Sequence, residues 1–195
     1  MVYRNGSRNM MQALTKKNFF LISFLIFLMF LTRGSHFLTE FSIPDASLII
    51  FLCLGLLIPS ILLFCVFFIL SAVIDFGSGF FDNSLAFCLT DGYWGLIPTY
   101  LVMFLAGLLI KNYDIKFNTF FVVVFVSTTL AFIISTNTYY MFSDRFGSPS
   151  FFTSIQYGWN YFPAYLIPNL VYGYIVYSLY QLDLRNYFLK FIQRS

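Results

Sequence analysis

Charge is scarce in this 195-residue chain: Asp, Glu, Lys and Arg together make up 10% of it, against roughly 25% in a soluble domain. A surface that poor in charge cannot keep 59% hydrophobic residues in water, and a mean hydropathy of +0.81 agrees. The chain therefore reads as an integral membrane protein with lipid as its solvent. A formal charge of +3, scattered along the sequence, excludes a nucleic-acid partner. Histidine occurs once, at His36, which argues against a membrane metalloprotease or a multi-histidine oxidase. The three cysteines, Cys53, Cys65 and Cys88, are odd in number and lack CxxC spacing, so neither a disulfide framework nor a zinc site is indicated. HExxH, GxSxG, a Walker A loop and a glycine-rich dinucleotide fingerprint are all missing. A solute carrier of this composition must borrow its energy or work without ATP. No linker, low-complexity tail or fixed-period repeat interrupts the chain, so residues 1–195 read as one domain.

Long apolar runs are what the chain does have. An unpaired backbone group in hydrocarbon costs several kcal/mol, so these continuous runs must be helices rather than strands. The fold class expected is an all-α membrane bundle of six transmembrane helices, over about residues 18–32, 42–58, 60–75, 93–111, 118–138 and 159–182. The first, "NFFLISFLIFLMFLT", is followed by no small-x-small cleavage site, so it reads as a span and not a signal peptide. The run "SLIIFLCLGLLIPSILLFCVFFILSAVI" is one overlong span or two short ones turning at Gly55 and Pro59. Charge separates these alternatives. With six spans, Arg4, Arg8, Lys16, Lys17, Lys111, Lys116, Arg185, Lys190 and Arg194 lie on the cytoplasmic side, against Arg33 and Arg145 outside. Five spans would put most basic residues outside, so the positive-inside rule favours six, with residues 1–17 and 183–195 both cytoplasmic.

That orientation places three connections outside: "RGSHFLTEFSIPDAS", "DFGSGFFDNSLAFCLTDGY" and "STNTYYMFSDRFGSPSFFTSIQYGWN". Loops of this length, rich in Gly, Asp, Asn and aromatics, suit an outward-facing ligand pocket carried on a helical scaffold. They hold His36, Cys88 and Asp75, the last at the end of the third span. His36 is equally well read as an interfacial imidazole, and Asp75 as a helix terminator. A carboxylate at the membrane is costly, so pairing with Arg33 or with a ligand is the alternative for Asp75. Most of the aromatics, 28 Phe and 14 Tyr among them, serve lipid packing and the interface belt. Tyr139, Tyr140, Phe146, Tyr157, Trp159 and Tyr161 could wall a flat, large ligand. Cys53 and Cys65, inside apolar runs, read as small hydrophobes. Cys88 has polar neighbours and does not.

The succession "TRGSHF", "PDASLIIFLCLG", Asp75, "FCLTDGYWGLIPTYL", "STNTYYMFSDRF" and "YFPAYL" resembles the BtuM-like family, the solitary cobalamin-specific S-components of energy-coupling-factor transporters. The likeness runs from about Thr32 to Leu166. It implies uptake of cobalamin (vitamin B12) across the bacterial inner membrane, from a pocket open to the periplasm. Cobalamin would be the transported ligand, with no separate cofactor. By residue matching, Cys88 would be the axial ligand to the corrin cobalt, a soft donor completing a coordination sphere whose four equatorial places the corrin fills. A free thiol titrates near ~8.5, so such ligation favours higher pH unless cobalt expels the proton. His36, Asp75 and Tyr93 would contact the corrin ring and its amide arms. In this family cysteine ligation is also linked to loss of cyanide from cyanocobalamin, the one catalytic role the resemblance implies, and it would fall to Cys88.

Two features depart from the family pattern. A basic residue expected in the last outer loop has Asn160 and Tyr161 as its nearest counterparts. The small-residue AxxxA stripe used for docking on an ECF energising module is absent from the bulky first helix. Two other classes compete with the transport reading: a membrane thiol enzyme in which His36 activates Cys88, oriented by Asp75, and a structural protein of the cell envelope.

Overall fold

The computed structural model describes residues 3–33, 43–81, 90–111, 116–147 and 149–181, with side chains of the first segment from Asn18 onward. His36 and Cys88 lie outside the described residues, as do the 183–195 tail and the acidic residues Glu40 and Asp82. The described residues form helices and turns with no strand among them. The helices are α1 (Tyr3–Arg33), α2 (Ser47–Leu57), α3 (Ile61–Phe81), α4 (Leu96–Ile110), α5 (Phe117–Phe142), α6 (Phe151–Gly158) and α7 (Phe162–Gln181). A 3-10 turn over Asp91–Gly95 leads into α4, and another over Trp159–Tyr161 joins α6 to α7. Counted as continuous helical runs these are six, one over each apolar segment, although the first begins at Tyr3 and not near residue 18, and the last at Phe151 and not near residue 159. Three stretches, Ile61–Phe80, Asp91–Ile110 and Phe117–Phe142, are long and apolar enough to cross a membrane. Asn18–Arg33 and Ser47–Leu57 are shorter apolar helices.

Helix α2 is the centre of the bundle. It is apolar all round, as a fully enclosed helix must be, and every residue from Ser47 to Leu56 is buried. Helix α4 packs on it at very close range, and α1, α3 and α7 also touch it. The close approach depends on two glycines facing each other's backbone. A Cβ at Gly55 would run into the Phe104 carbonyl, and one at Gly107 into the Leu52 carbonyl. Small residues let helices in lipid approach to backbone contact, where dispersion and weak hydrogen bonds replace the missing hydrophobic drive. Phe51 stacks on Tyr100 across this contact, centroids 4.3 Å apart and planes 11° from parallel.

Three expectations need correction. The long apolar run does divide, but helix continues through Gly55 and stops at Leu57, with Pro59 alone in the turn. Gly55 serves packing instead. Helix α3 runs on to Phe81, so Asp75 sits more than a turn inside its helix and does not terminate it. The segment read as a long last loop is mostly helical: α5 reaches Phe142 and α6 starts at Phe151. Its polar residues are held by bonds back to the preceding turn, Asn137 Nδ2 donating to Ile133 O at 2.8 Å and Thr138 Oγ1 to Ile134 O at 2.9 Å. Side chains satisfied in this way do not end a helix, although they resemble loop residues in composition.

Candidate functional site

At the C-terminal end of α1 the Arg33 guanidinium ties four helices together. Its Nε donates to Asp75 Oδ1 at 2.7 Å and its Nη2 to Asp75 Oδ2 at 2.5 Å, the forked geometry in which guanidinium and carboxylate match best. Nη1 donates to Asp45 Oδ2 at 2.9 Å, to Ser47 Oγ at 2.9 Å and to the Tyr100 hydroxyl at 2.6 Å. Tyr93 adds a donor, its hydroxyl reaching Asp75 Oδ2 at 2.8 Å. Local sequence explains much of this placement. A cation is favoured at the C-terminal end of α1 by the helix dipole. Asp45, just before α2, accepts from Ser47 N at 2.9 Å and Ser47 Oγ at 2.6 Å, satisfying a donor that the helix start leaves without an internal partner. The 3-10 turn ahead of α4 swings Tyr93 towards α3.

Two carboxylates face one guanidinium in this cluster. Their exposures differ: the Arg33 side chain is 10% exposed, Asp75 20% and Asp45 44%. The Arg33–Asp75 pair is thus the enclosed one, and Asp45 looks outward.

A cavity of about 210 Å³ opens beside the cluster. Arg33, Asp45, Tyr100, Ser135, Tyr165 and Asn169 are among the residues that line it. Ala164 and Pro168 of α7 complete the wall. Asn169 is 3% exposed and donates through Nδ2 to Tyr165 O at 2.7 Å, while its Oδ1 has no hydrogen-bond partner. Proline at 168 carries no N–H, so the Ala164 carbonyl loses its usual helical donor. Tyr172 fastens α7 to the entry of α2, its hydroxyl donating to Pro44 O at 2.7 Å.

Of the site residues read from sequence, Asp75 and Tyr93 meet here, and the Arg33–Asp75 pairing is present. Cys88 and His36 fall outside the described residues, so the cobalt-ligand expectation has no geometry to meet. Among the described residues no group of three or more His, Cys, Asp or Glu could hold a metal ion. Cys53 is buried in the core and Cys65 is exposed on α3. Four of the six aromatic residues cluster, with Tyr140 packed edge-on against Tyr139, Phe146 and Tyr157 at 5.2, 4.7 and 5.7 Å, while Tyr161 is exposed. Trp159 instead stacks on Phe162 at 5.1 Å. These rings pack on one another, and the cavity is walled by Tyr100 and Tyr165, which composition did not single out. Compared with known proteins, the chain matches no family model and no curated protein.

Proposed function

We propose that this chain is a multi-pass protein of the bacterial inner membrane that captures cobalamin from the periplasmic side, with Cys88 as axial cobalt ligand and Asp75, Tyr93 and His36 around the corrin. The observation that carries the reading is the meeting of Asp75 and Tyr93: residues 18 apart in sequence share a 2.8 Å hydrogen bond, and Asp75 in turn holds Arg33, which lines the cavity described above. Cys88 lies five residues before Tyr93 in the chain. A rigid Arg33–Asp75–Tyr93 unit would present fixed polar groups to the amide arms of a corrin at little cost in ordering. The corrin is larger than the drug-sized ligands that fill pockets of roughly 300–1,000 Å³. In this reading it caps the cavity of about 210 Å³ and does not enter it. The six-span orientation, with both termini in the cytoplasm, belongs to the same proposal. Its support is the distribution of basic residues and the three long apolar helices. The small-residue docking stripe is missing from α1, so the proposal does not require an energising module.

The test is a visible spectrum of the full-length protein purified from cells supplied with cobalamin. The expected result is a coloured preparation whose corrin bands are displaced from those of the free vitamin, and loss of that displacement in Cys88→Ala. A colourless protein that does not take up added cobalamin would overturn the proposal. Retention of the displaced bands by Cys88→Ala would remove Cys88 as the ligand.

A further inference from the structure

The cavity beside Arg33 is bordered by an excess of negative charge and by hydroxyl groups. One guanidinium faces two carboxylates in the cluster, so one negative charge is left over. Asp75 holds Arg33 through both of its oxygens, while Asp45, Ser47 and the Tyr100 hydroxyl take Nη1. The excess therefore falls to Asp45, which lines the cavity. Both Asp45 oxygens are already engaged by Arg33 and Ser47, so this residue acts on the cavity through its charge and not as an open acceptor. The other polar groups of the wall suit a neutral guest. The Tyr100 hydroxyl accepts from Arg33 at 2.6 Å and keeps its own proton to donate. Ser135 and Tyr165 bring two further hydroxyls. Pro168 has no N–H for the Ala164 carbonyl, and both residues line the same space, so an acceptor stands among the donors.

We infer that this cavity receives one propionamide arm of the corrin, and that the charge of Asp45 sets its selectivity by admitting the neutral amide and turning away the carboxylate of the same shape. The inference rests on the cobalamin reading and adds to it which part of the vitamin the cavity takes. A volume of about 210 Å³ is too small for the ring. It has room for one arm with some waters, each of which takes ~30 Å³. A primary amide matches the wall in both directions, its oxygen accepting from the hydroxyls and its N–H donating to the Ala164 carbonyl. Hydrolysis of that amide to the acid changes the shape little, but it removes both N–H donors and puts a like charge beside Asp45. At an effective dielectric of about 20, repulsion across so small a cavity is enough to weaken binding by about tenfold. Arg33 does not offset it, because Asp75 already balances the guanidinium.

The experiment measures, from the visible spectrum at neutral pH, the affinity of the full-length protein in lipid nanodiscs for cyanocobalamin and for its b-, d- and e-monocarboxylic acids. In each acid one propionamide arm has become a propionate. At least one isomer should bind about tenfold or more weakly than cobalamin, and another should bind as cobalamin does. Asp45→Asn should bring the affinity ratio of the weakened isomer to cobalamin back towards one. Asp144→Asn, which removes an exposed carboxylate away from the cavity wall, should leave that ratio unchanged. The methyl ester of the weakened isomer, neutral again, should recover most of the loss in the unaltered protein, so the test does not depend on the Asp45 variant folding. Equal affinity for cobalamin and all three acids overturns the inference and leaves the cobalamin reading standing. So does a weakened isomer that neither Asp45→Asn nor esterification restores. Failure of every corrinoid to bind overturns the cobalamin reading and the inference with it.

Discussion

Removing Asp75 and removing Asp45 are different experiments, because the two carboxylates meet Arg33 at different depths. Asp75 grips the guanidinium with both oxygens and is 20% exposed, while Asp45 makes one contact and is 44% exposed. Breaking an enclosed pair strands a desolvated charge, so Asp75→Ala should cost about 3–5 kcal/mol of stability. Asp45→Asn should cost no more than about 1 kcal/mol, the usual worth of a solvated pair. Unfolding of the two variants in detergent would measure both, and equal losses would show that Arg33 does not depend on Asp75 for its charge balance. Tyr93→Phe removes a donor to an ionised acceptor and should cost about 1.5–3 kcal/mol. Its effect should not add to that of Asp75→Ala, since both act on one network. The Arg33–Asp75 pair was legible in the sequence because charges near lipid need partners. Tyr100, Tyr165 and Asn169 were not. In a chain with 14 Tyr, nothing local marks the two that face a cavity, and an orphaned amide oxygen is a property of three-dimensional packing.

Elements were more legible than their ends. Six helical runs follow from apolar length alone, because lipid leaves the backbone few alternatives. The ends were missed where polar residues satisfy themselves within a helix, as Asn137 and Thr138 do, and where Gly55 resembled a turn. Glycine inside a helix has two readings, a break or a close contact, and the partner that decides between them, Gly107, is 52 residues away. The contact itself makes a sharp prediction. Any side chain at Gly107 must displace the Leu52 carbonyl of a helix that is buried from Ser47 to Leu56. Gly107→Val should therefore destabilise by at least about 1–3 kcal/mol, the cost of overpacking a well-filled core. The comparison is Gly77→Ala, where a Cβ meets nothing within 4 Å. That exchange should be neutral or stabilising through better helix propensity. Comparable thermal shifts for the two variants would mean that α2 and α4 are not in backbone contact.

At the scale of the whole molecule, the burial of α2 and the charge distribution have to be reconciled. Eleven residues of helix extend about 16 Å, little more than half of a hydrocarbon core of about 30 Å. A short helix α2 fits at that depth because neighbouring helices, and not lipid, cover its residues from Ser47 to Leu56. The proposed orientation rests on the reversal of the chain at residues 58–60, which the Arg33 guanidinium requires by meeting both Asp45 at the start of α2 and Asp75 near the end of α3. With that reversal, Lys111 and Lys116 face the cytoplasm and Arg145 faces the periplasm. Without it the two sides exchange, and the count of basic residues favours the first arrangement. Replacing Cys53, Cys65 and Cys88 with Ala and adding one cysteine at a time separates the cases. Positions 116 and 145 are both exposed, so a membrane-impermeant thiol reagent reaches either from its own side. Arg145→Cys should be modified in spheroplasts, and Lys116→Cys after permeabilisation alone. The opposite pattern would put the 143–150 connection in the cytoplasm, and the Arg33 cluster would need to be placed anew relative to the periplasm. Modification of both without permeabilisation would mean that α5 does not cross the membrane, although Phe117–Phe142 is the longest apolar helix described.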